Sequence, residues 1–177
     1  AVKELVENSI DAGAKNITIE LQNGGMTFLR ITDDGCGMEP VDARTAFLRH
    51  ATSKIRKKED LACIGTLGFR GEALAAISSV SKIDLLTRAQ GAENGVRLHL
   101  EAGQVLSEEP AGCPCGTTIL VRELFYNTPA RMKFMKSDAA ESSAVFSVVQ
   151  QQALAHPEIS FRFLKDGQEQ LHTDGQG

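Results

Sequence analysis

The chain has 177 residues, 42% of them hydrophobic and 24% charged, with a formal net charge of −4. That length suits one domain, which would bury roughly 70% of the surface its unfolded chain exposes, and the acidic balance excludes the basic footprint of a tight nucleic-acid binder within these residues. No apolar run reaches the ~20 residues that cross a bilayer and no secretory leader is legible, so the expected setting is intracellular.

The first predicted element is a helix over residues 1–12. Val2, Leu5, Val6, Ser9 and Ile10 recur at three- and four-residue spacing and form a stripe for the core, while Glu4, Glu7, Asn8 and Asp11 fall on the other side. Gly13 suits its C-cap. Residues 16–22 alternate, with Ile17, Ile19 and Leu21 on one side, Asn23-Gly24-Gly25 signals a hairpin, and residues 27–33 return as a second strand that leaves Asp33 at a loop mouth. Pro40 fits the first turn of a helix reaching about residue 49. Residues 51–68 lose periodicity and read as a lid or connector. Gly68-Phe-Arg-Gly-Glu-Ala-Leu74 leads glycines into a helix whose free backbone amides, with Arg70, suit an anion. Strands follow over 81–88, 96–101, 116–122 and 159–165, with a helix over 137–155. Strand runs beside helices predict an α+β fold, a layered sandwich. Cys36, Cys63, Cys113 and Cys115 lack paired zinc-site spacing and are expected to be free thiols.

Three segments carry candidate chemistry. Glu4 and Asn8 lie one turn apart on the polar side of the first helix. The Asn carbonyl oxygen suits Mg²⁺ beside water and phosphate oxygens, and the carboxylate suits orienting a water for attack on phosphorus; the solvated face of an amphipathic helix would look the same. In Asp33-Asp-Gly-Cys-Gly-Met38, Asp33 can accept from an adenine amino group, and Gly35 and Gly37 let the backbone pass close to a base and sugar, although Asp-Gly-x-Gly is also ordinary turn chemistry. Phosphates would fall to Gly68–Leu74, assisted by Thr52, Ser53 and Lys54; the segment is not a Walker sequence. Thr117 can approach the base, or be simply a good strand former.

Together these residues resemble the four ATP-binding motifs of the GHKL superfamily. Lys3-Glu-Leu-Val-Glu-Asn-Ser9, Asp11-Ala-Gly-Ala14, Arg49-His-Ala-Thr-Ser-Lys54, Leu67-Gly-Phe-Arg-Gly-Glu-Ala-Leu74 and Leu124-Phe-Tyr-Asn-Thr-Pro-Ala-Arg131 are similar to the N-terminal ATPase domain of the MutL family. The resemblance spans nearly the whole chain and is weakest over residues 89–115. It implies a two-layer α/β sandwich with a mixed sheet, the GHKL or Bergerat-type ATP-binding fold. It also implies one ATPase domain over residues 1–177, missing its authentic start and preceding a further domain.

The roles implied at matching positions are specific. Glu4 would be the general base, Asn8 the Mg²⁺ ligand, Asp33 the adenine reader, and Gly35 and Gly37 the walls of its pocket. Gly68, Phe69, Arg70, Gly71, Glu72, Ala73 and Leu74 would hold phosphates, Thr52, Ser53 and Lys54 would order as a lid over ATP, and Thr117 would serve the base. Met132 stands where the family commonly has a second arginine. The implied activity is an ATP-driven dimerisation switch in DNA mismatch repair, with an N-terminal partner copy, a mismatch-recognition protein, downstream repair enzymes and DNA as partners, and no membrane. A lysine from the following domain and a segment before Ala1 would complete it, so the fragment alone is expected to be a poor enzyme. The location would be cytoplasmic in a bacterium and nuclear in a eukaryote. The alternatives are another GHKL ATPase or a nucleotide-sensing interaction module.

Overall fold

The computed structural model describes residues 2–23, 27–47, 71–132 and 137–176. Helix α1 (Val2–Asp11) stops in a Schellman arrangement. Gly13 N–H donates to the Ile10 carbonyl at 3.0 Å and Ala14 N–H to the Ser9 carbonyl at 3.2 Å, while Gly13 takes φ +78°. Strands β1 (Asn16–Gln22) and β2 (Phe28–Asp33) pair antiparallel, and helix α2 (Pro40–Thr45) starts on Pro40. Helix α3 (Gly71–Ser79) leads into β3 (Lys82–Arg88), β4 (Gly95–Glu101), β5 (Gln104–Ala111) and β6 (Gly116–Arg122). A short α4 (Pro129–Met132) precedes α5 (Asp138–Ala155), where the Ser137 hydroxyl accepts from Ala140 N–H at 3.2 Å as the N-cap. Strands β7 (Ser160–Lys165) and β8 (Gln168–His172) close the chain.

The strands form one sheet in the order β5-β4-β3-β6-β2-β1-β7-β8. Among the described residues only β1 and β7 pair in parallel, so the sheet is mixed, as expected. Alternation splits it into two unlike faces. Ile17, Ile19, Leu21, Ile31, Ile83, Leu85, Leu98, Leu100, Val121, Phe161 and Phe163 meet Leu5 and Val6 of α1, Leu74 and Ile77 of α3, and Val145 and Val149 of α5 in one buried cluster. Two layers, helices on a sheet, result.

Several sequence expectations are corrected. Strands β5 and β8 were not anticipated, because both are sheet edges with almost wholly exposed or half-exposed residues and therefore no apolar alternation. Their turns carry the missed signal: Ala102-Gly103 and Asp166-Gly167 both take consecutive positive φ, at 50° and 81° and at 49° and 82°, the pattern of two-residue hairpins. Asn8 is not on a solvated face but 4% exposed, covered together with Ser9. Helix α2 ends at Thr45, followed by a turn at Ala46 and Phe47. Cys113 and Cys115 are free thiols, as expected, whereas Cys36 is disulfide-bonded; spacing along the chain reports chelation, not which thiols the fold brings together. The predicted lid, residues 51–68, lies outside the described residues.

The other sheet face is polar, and its centre is Asp84 with a 6% exposed side chain. Arg122 is ion-paired to one carboxylate oxygen; Arg97 lies 3.5 Å and His99 Nδ1 3.0 Å from the other, while His99 Nε2 lies 2.9 Å from Glu101. With a carboxylate at each ring nitrogen, His99 is held as the imidazolium, which donates from both. The Glu101 hydrogen bond raises its pKa, burial opposes that, and Asp84 adds to the rise. Burial pushes the Asp84 carboxyl up, but hydrogen bonds and charge from Arg122 and His99 outweigh it and hold the carboxyl below its ordinary value of 3.8.

The folded state therefore binds the His99 proton more tightly than the unfolded chain does. Its contribution to stability is complete below the ordinary value of 6.5 and is lost as pH rises through the raised folded value, while the Asp84 contribution is lost only in acid, below 3.8. Thermal unfolding of the wild type is expected to shift to lower temperature from pH 6.5 upward, and His99→Gln to flatten that slope. An unchanged slope in the variant would place the titrating group elsewhere.

Candidate functional site

The apolar layer between sheet and helices is interrupted where residues of α1 meet the ends of β2 and β6. A narrow cleft lies there, lined by Leu5, Asn8, Ser9, Ala12, Asp33, Gly37, Met38, Leu74, Thr117 and Ile119. Asp33 is the last residue of β2 and sits in cross-strand register with Thr117, which in turn faces Thr87 of β3. A polar row thus continues the inner face of the sheet where the neighbouring rows are Ile31, Ile119 and Leu85.

The Asp33 carboxylate is held from two directions. Ser9 Oγ donates to Oδ2 at 2.7 Å and the Gly35 N–H to Oδ1 at 2.9 Å. Burial pushes this carboxyl up from its ordinary 3.8, and the hydrogen bonds from Ser9, Gly35 and the Thr117 backbone only partly offset that. Next to it, Asp34 turns outward and clamps the start of β1, accepting from Lys15 N–H at 2.8 Å, Asn16 N–H at 2.9 Å and Asn16 Nδ2 at 2.7 Å. These bonds outweigh partial burial and hold Asp34 low.

Asn8 is the opposite case. Both its Oδ1 and its Nδ2 are buried and have no hydrogen-bond partner among the described residues, although the side chain lines the cleft. Leaving an amide buried and unpaired costs about 1–3 kcal/mol, so the side chain is primed for something that enters the cleft. A hard cation with its own water and phosphate oxygens fits a single neutral carbonyl oxygen of this kind. Among the described residues no group of three or more His, Cys, Asp or Glu is arranged to hold a metal, and one carbonyl oxygen beside phosphates requires none.

The turn after Asp33 is packed backbone against backbone. A Cβ at Gly35 would stand 2.8 Å from the Ala12 carbonyl oxygen, and one at Gly37, where φ is +67°, would stand 1.9 Å from that of Arg88. The chain is pinned there by Cys36 N–H to the Ala12 carbonyl at 2.9 Å and by Gln90 N–H to the Cys36 carbonyl at 2.9 Å. Gly116, at φ +129°, lies so close to Asp33 that a Cβ would meet its carbonyl oxygen at 2.2 Å.

Of the residues singled out from sequence, the fold brings Asn8, Asp33, Gly37, Leu74 and Thr117 into the cleft, with Gly35 in the adjoining turn. Glu4 lies one turn before Asn8 on α1, outside the lining, and is partly exposed. Gly71, Glu72 and Ala73 form the first turn of α3, directly before Leu74. Thr52, Ser53, Lys54, Gly68, Phe69 and Arg70 lie outside the described residues. Ser9 and Met38 also line the cleft and were not among the residues singled out. Ser9 reads from periodicity as a core position, and a serine in an apolar stripe was its only signal.

Residues 1–111 match the family of histidine kinase-, DNA gyrase B- and HSP90-like ATPases. The chain belongs to that family. The relatives it is similar to are MutL proteins. It is 52% identical over 176 residues to the DNA mismatch repair protein MutL of Thermoanaerobacter sp. (strain X514), covering 99% of this chain and 29% of that protein. It is 53% identical to the MutL protein of Caldanaerobacter subterraneus subsp. tengcongensis, covering 30% of that protein. The chain thus spans about three-tenths of the length of these relatives. The Aquifex aeolicus MutL ATPase domain complexed with ADP superposes with a TM-score of 0.81 at 34% identity, over 99% of this chain and 62% of that one. The N-terminal domain of a DNA repair protein gives the same TM-score at 33% identity, over 53% of its length. The GHKL fold expected from sequence is therefore the fold observed.

Because the Asp33 turn has no room, Gly37→Ala is expected to cost about 1–3 kcal/mol through backbone strain and overpacking. Gly167→Asn, at φ +82° with nothing within 4 Å, should cost far less. Urea denaturation of both variants tests this, and equal losses would remove the close backbone approach as the cause.

Proposed function

We propose that the cleft binds ATP with Mg²⁺ and that the chain is the ATP-hydrolysing domain of a MutL-type mismatch-repair protein. The observation that carries this reading is the pairing, in one cleft, of the unpartnered Asn8 carboxamide with the buried, donor-held Asp33 carboxylate. Asp33 reads the exocyclic amino group of adenine, since its oxygens only accept. Gly35 and Gly37 let the base approach the turn, and Thr117 serves the same edge. Asn8 holds Mg²⁺, which supplies charge neutralisation to the phosphates when bound.

In this reading the phosphates fall to Gly68, Phe69, Arg70, Gly71, Glu72, Ala73 and Leu74, the last four of which open α3, because free backbone amides at a helix start suit anions. Glu4, one turn from Asn8, accepts a proton from the attacking water as its oxygen bonds to the γ-phosphorus and the bond to the ADP oxygen breaks. Thr52, Ser53 and Lys54 belong to the lid.

In this reading the 177 residues act as one ATPase domain. ATP binding orders the lid and brings two copies together, coupling the switch to DNA, a mismatch-recognition protein and downstream repair enzymes, with hydrolysis resetting it. No helix among the described residues is long and apolar enough to cross a membrane, and a bacterial cytoplasm is the setting this reading favours.

The test uses full-length protein. Calorimetric titration with Mg²⁺ and a non-hydrolysable ATP analogue is expected to give saturable binding, weakened about 10–100-fold in Asp33→Asn. Glu4→Ala is expected to retain binding while turnover falls about 10²-fold or more. Absence of binding by folded wild type would sink the reading. Dimerisation driven by nucleotide with unchanged turnover in Glu4→Ala would favour a nucleotide-sensing module instead.

A further inference from the structure

Behind Thr117, away from the cleft, lies Thr87, a fully buried hydroxyl at 0% exposure. Its Oγ1 makes three close contacts: it accepts from Met38 N–H at 3.0 Å, donates to the Gly116 carbonyl at 3.0 Å, and lies 2.9 Å from Thr117 Oγ1. A hydroxyl has one proton and two lone pairs. The Met38 amide can only donate and the Gly116 carbonyl oxygen can only accept, so one lone pair and the sole proton of Thr87 are taken. With its proton on the Gly116 carbonyl, Thr87 has one lone pair left to accept from Thr117.

That leaves the Thr117 hydroxyl without a proton to offer. Toward the cleft it presents lone pairs alone, and beside it in cross-strand register stands Asp33, whose carboxylate oxygens also only accept. Two acceptors side by side call for a donor edge. A 6-amino purine supplies one, whereas a 6-oxo purine turns a carbonyl oxygen toward acceptors that cannot answer it.

We infer that Thr87 is a positioning residue that sets the base preference of the cleft. By consuming the Thr117 proton it forbids that hydroxyl from rotating to greet a carbonyl, and so makes 6-amino over 6-oxo purine selection a property of the interior as well as of Asp33. The same contacts tie the preference to the fold: Met38 closes the Asp33 turn, and Gly116 opens β6 against Asp33. The inference rests on the nucleotide reading given above.

The experiment compares binding of non-hydrolysable ATP and GTP analogues, with Mg²⁺, to full-length wild type, Thr87→Val and Thr87→Ser. Thr87→Val frees the Thr117 hydroxyl to donate, so the preference for ATP over GTP is expected to narrow about tenfold, the equivalent of one net hydrogen bond. Thr87→Ser, which keeps the hydroxyl, should restore the wild-type ratio. A parallel loss of both nucleotides, or an unchanged ratio, would reduce Thr87 to a packing residue and overturn the inference. Should Thr87→Val fail to fold, Thr117→Val deletes the locked acceptor itself and is expected to narrow the ratio likewise; an unchanged ratio there also overturns it. Wild type that binds neither analogue would sink the nucleotide reading, and this inference with it, whereas wild type that binds ATP with an unresponsive ratio sinks this inference alone.

Discussion

The constraint on which the rest of the structure depends is a carboxylate placed where a core residue would ordinarily sit. Asp33 ends β2 on the inner face of the sheet, in line with Ile31 and Leu29, yet it remains an acceptor for Ser9 and Gly35. Burying a carboxylate without donors would cost several kcal/mol. The protein meets that cost with a helix residue from one side and a turn amide from the other, and each donor imposes geometry on its own element. Ser9 fixes the rotation of α1 about its axis, which in turn directs Asn8 into the same cleft. Gly35 fixes the turn, which can close only because glycines at 35, 37 and 116 let three backbone segments approach within contact of one another.

The two faces of the sheet solve different problems. The inner face needs apolar area, and Ile, Leu and Phe alternate along six of the strands to supply it. The outer face carries paired charges around Asp84, where Arg97, Arg122 and His99 surround one nearly buried carboxylate. Both faces therefore contain a desolvated aspartate, with opposite outcomes. Asp84 is surrounded by positive charge and titrates low, whereas Asp33 has only neutral donors and titrates high. A carboxylate left with neutral donors and an open cleft is suited to recognise a ligand donor; one saturated by three cationic groups is suited to stay as it is.

Much of this was legible in particular residues. The 3.6-residue stripe of α1 and the strict alternation of Ile17, Ile19 and Leu21 identify those elements because one face of each must be apolar. The glycines around Asp33 advertise a tight turn. The edge strands β5 and β8 were silent because an edge open to solvent imposes no alternation, and only their Ala-Gly and Asp-Gly turns carried a signal. Ser9 and Thr87 were silent for a different reason. Each is a small polar residue at a core-facing position, and periodicity cannot distinguish a hydroxyl that fills space from one that satisfies a partner 24 or 30 residues away.

By itself the sequence determined the kind of fold, because element type follows from local periodicity, and it singled out Asn8, Asp33, Gly37, Leu74 and Thr117, which the fold brings together. Only the tertiary structure decided which of these groups converge, that Asn8 is buried without a partner among the described residues while Asp33 is held by Ser9, and that the Thr87 and Thr117 hydroxyls meet. Hydrogen-bond direction and burial are properties of neighbours in space. Strands far apart in the chain meet only when the sheet assembles, and until then a threonine has a proton to give in any direction.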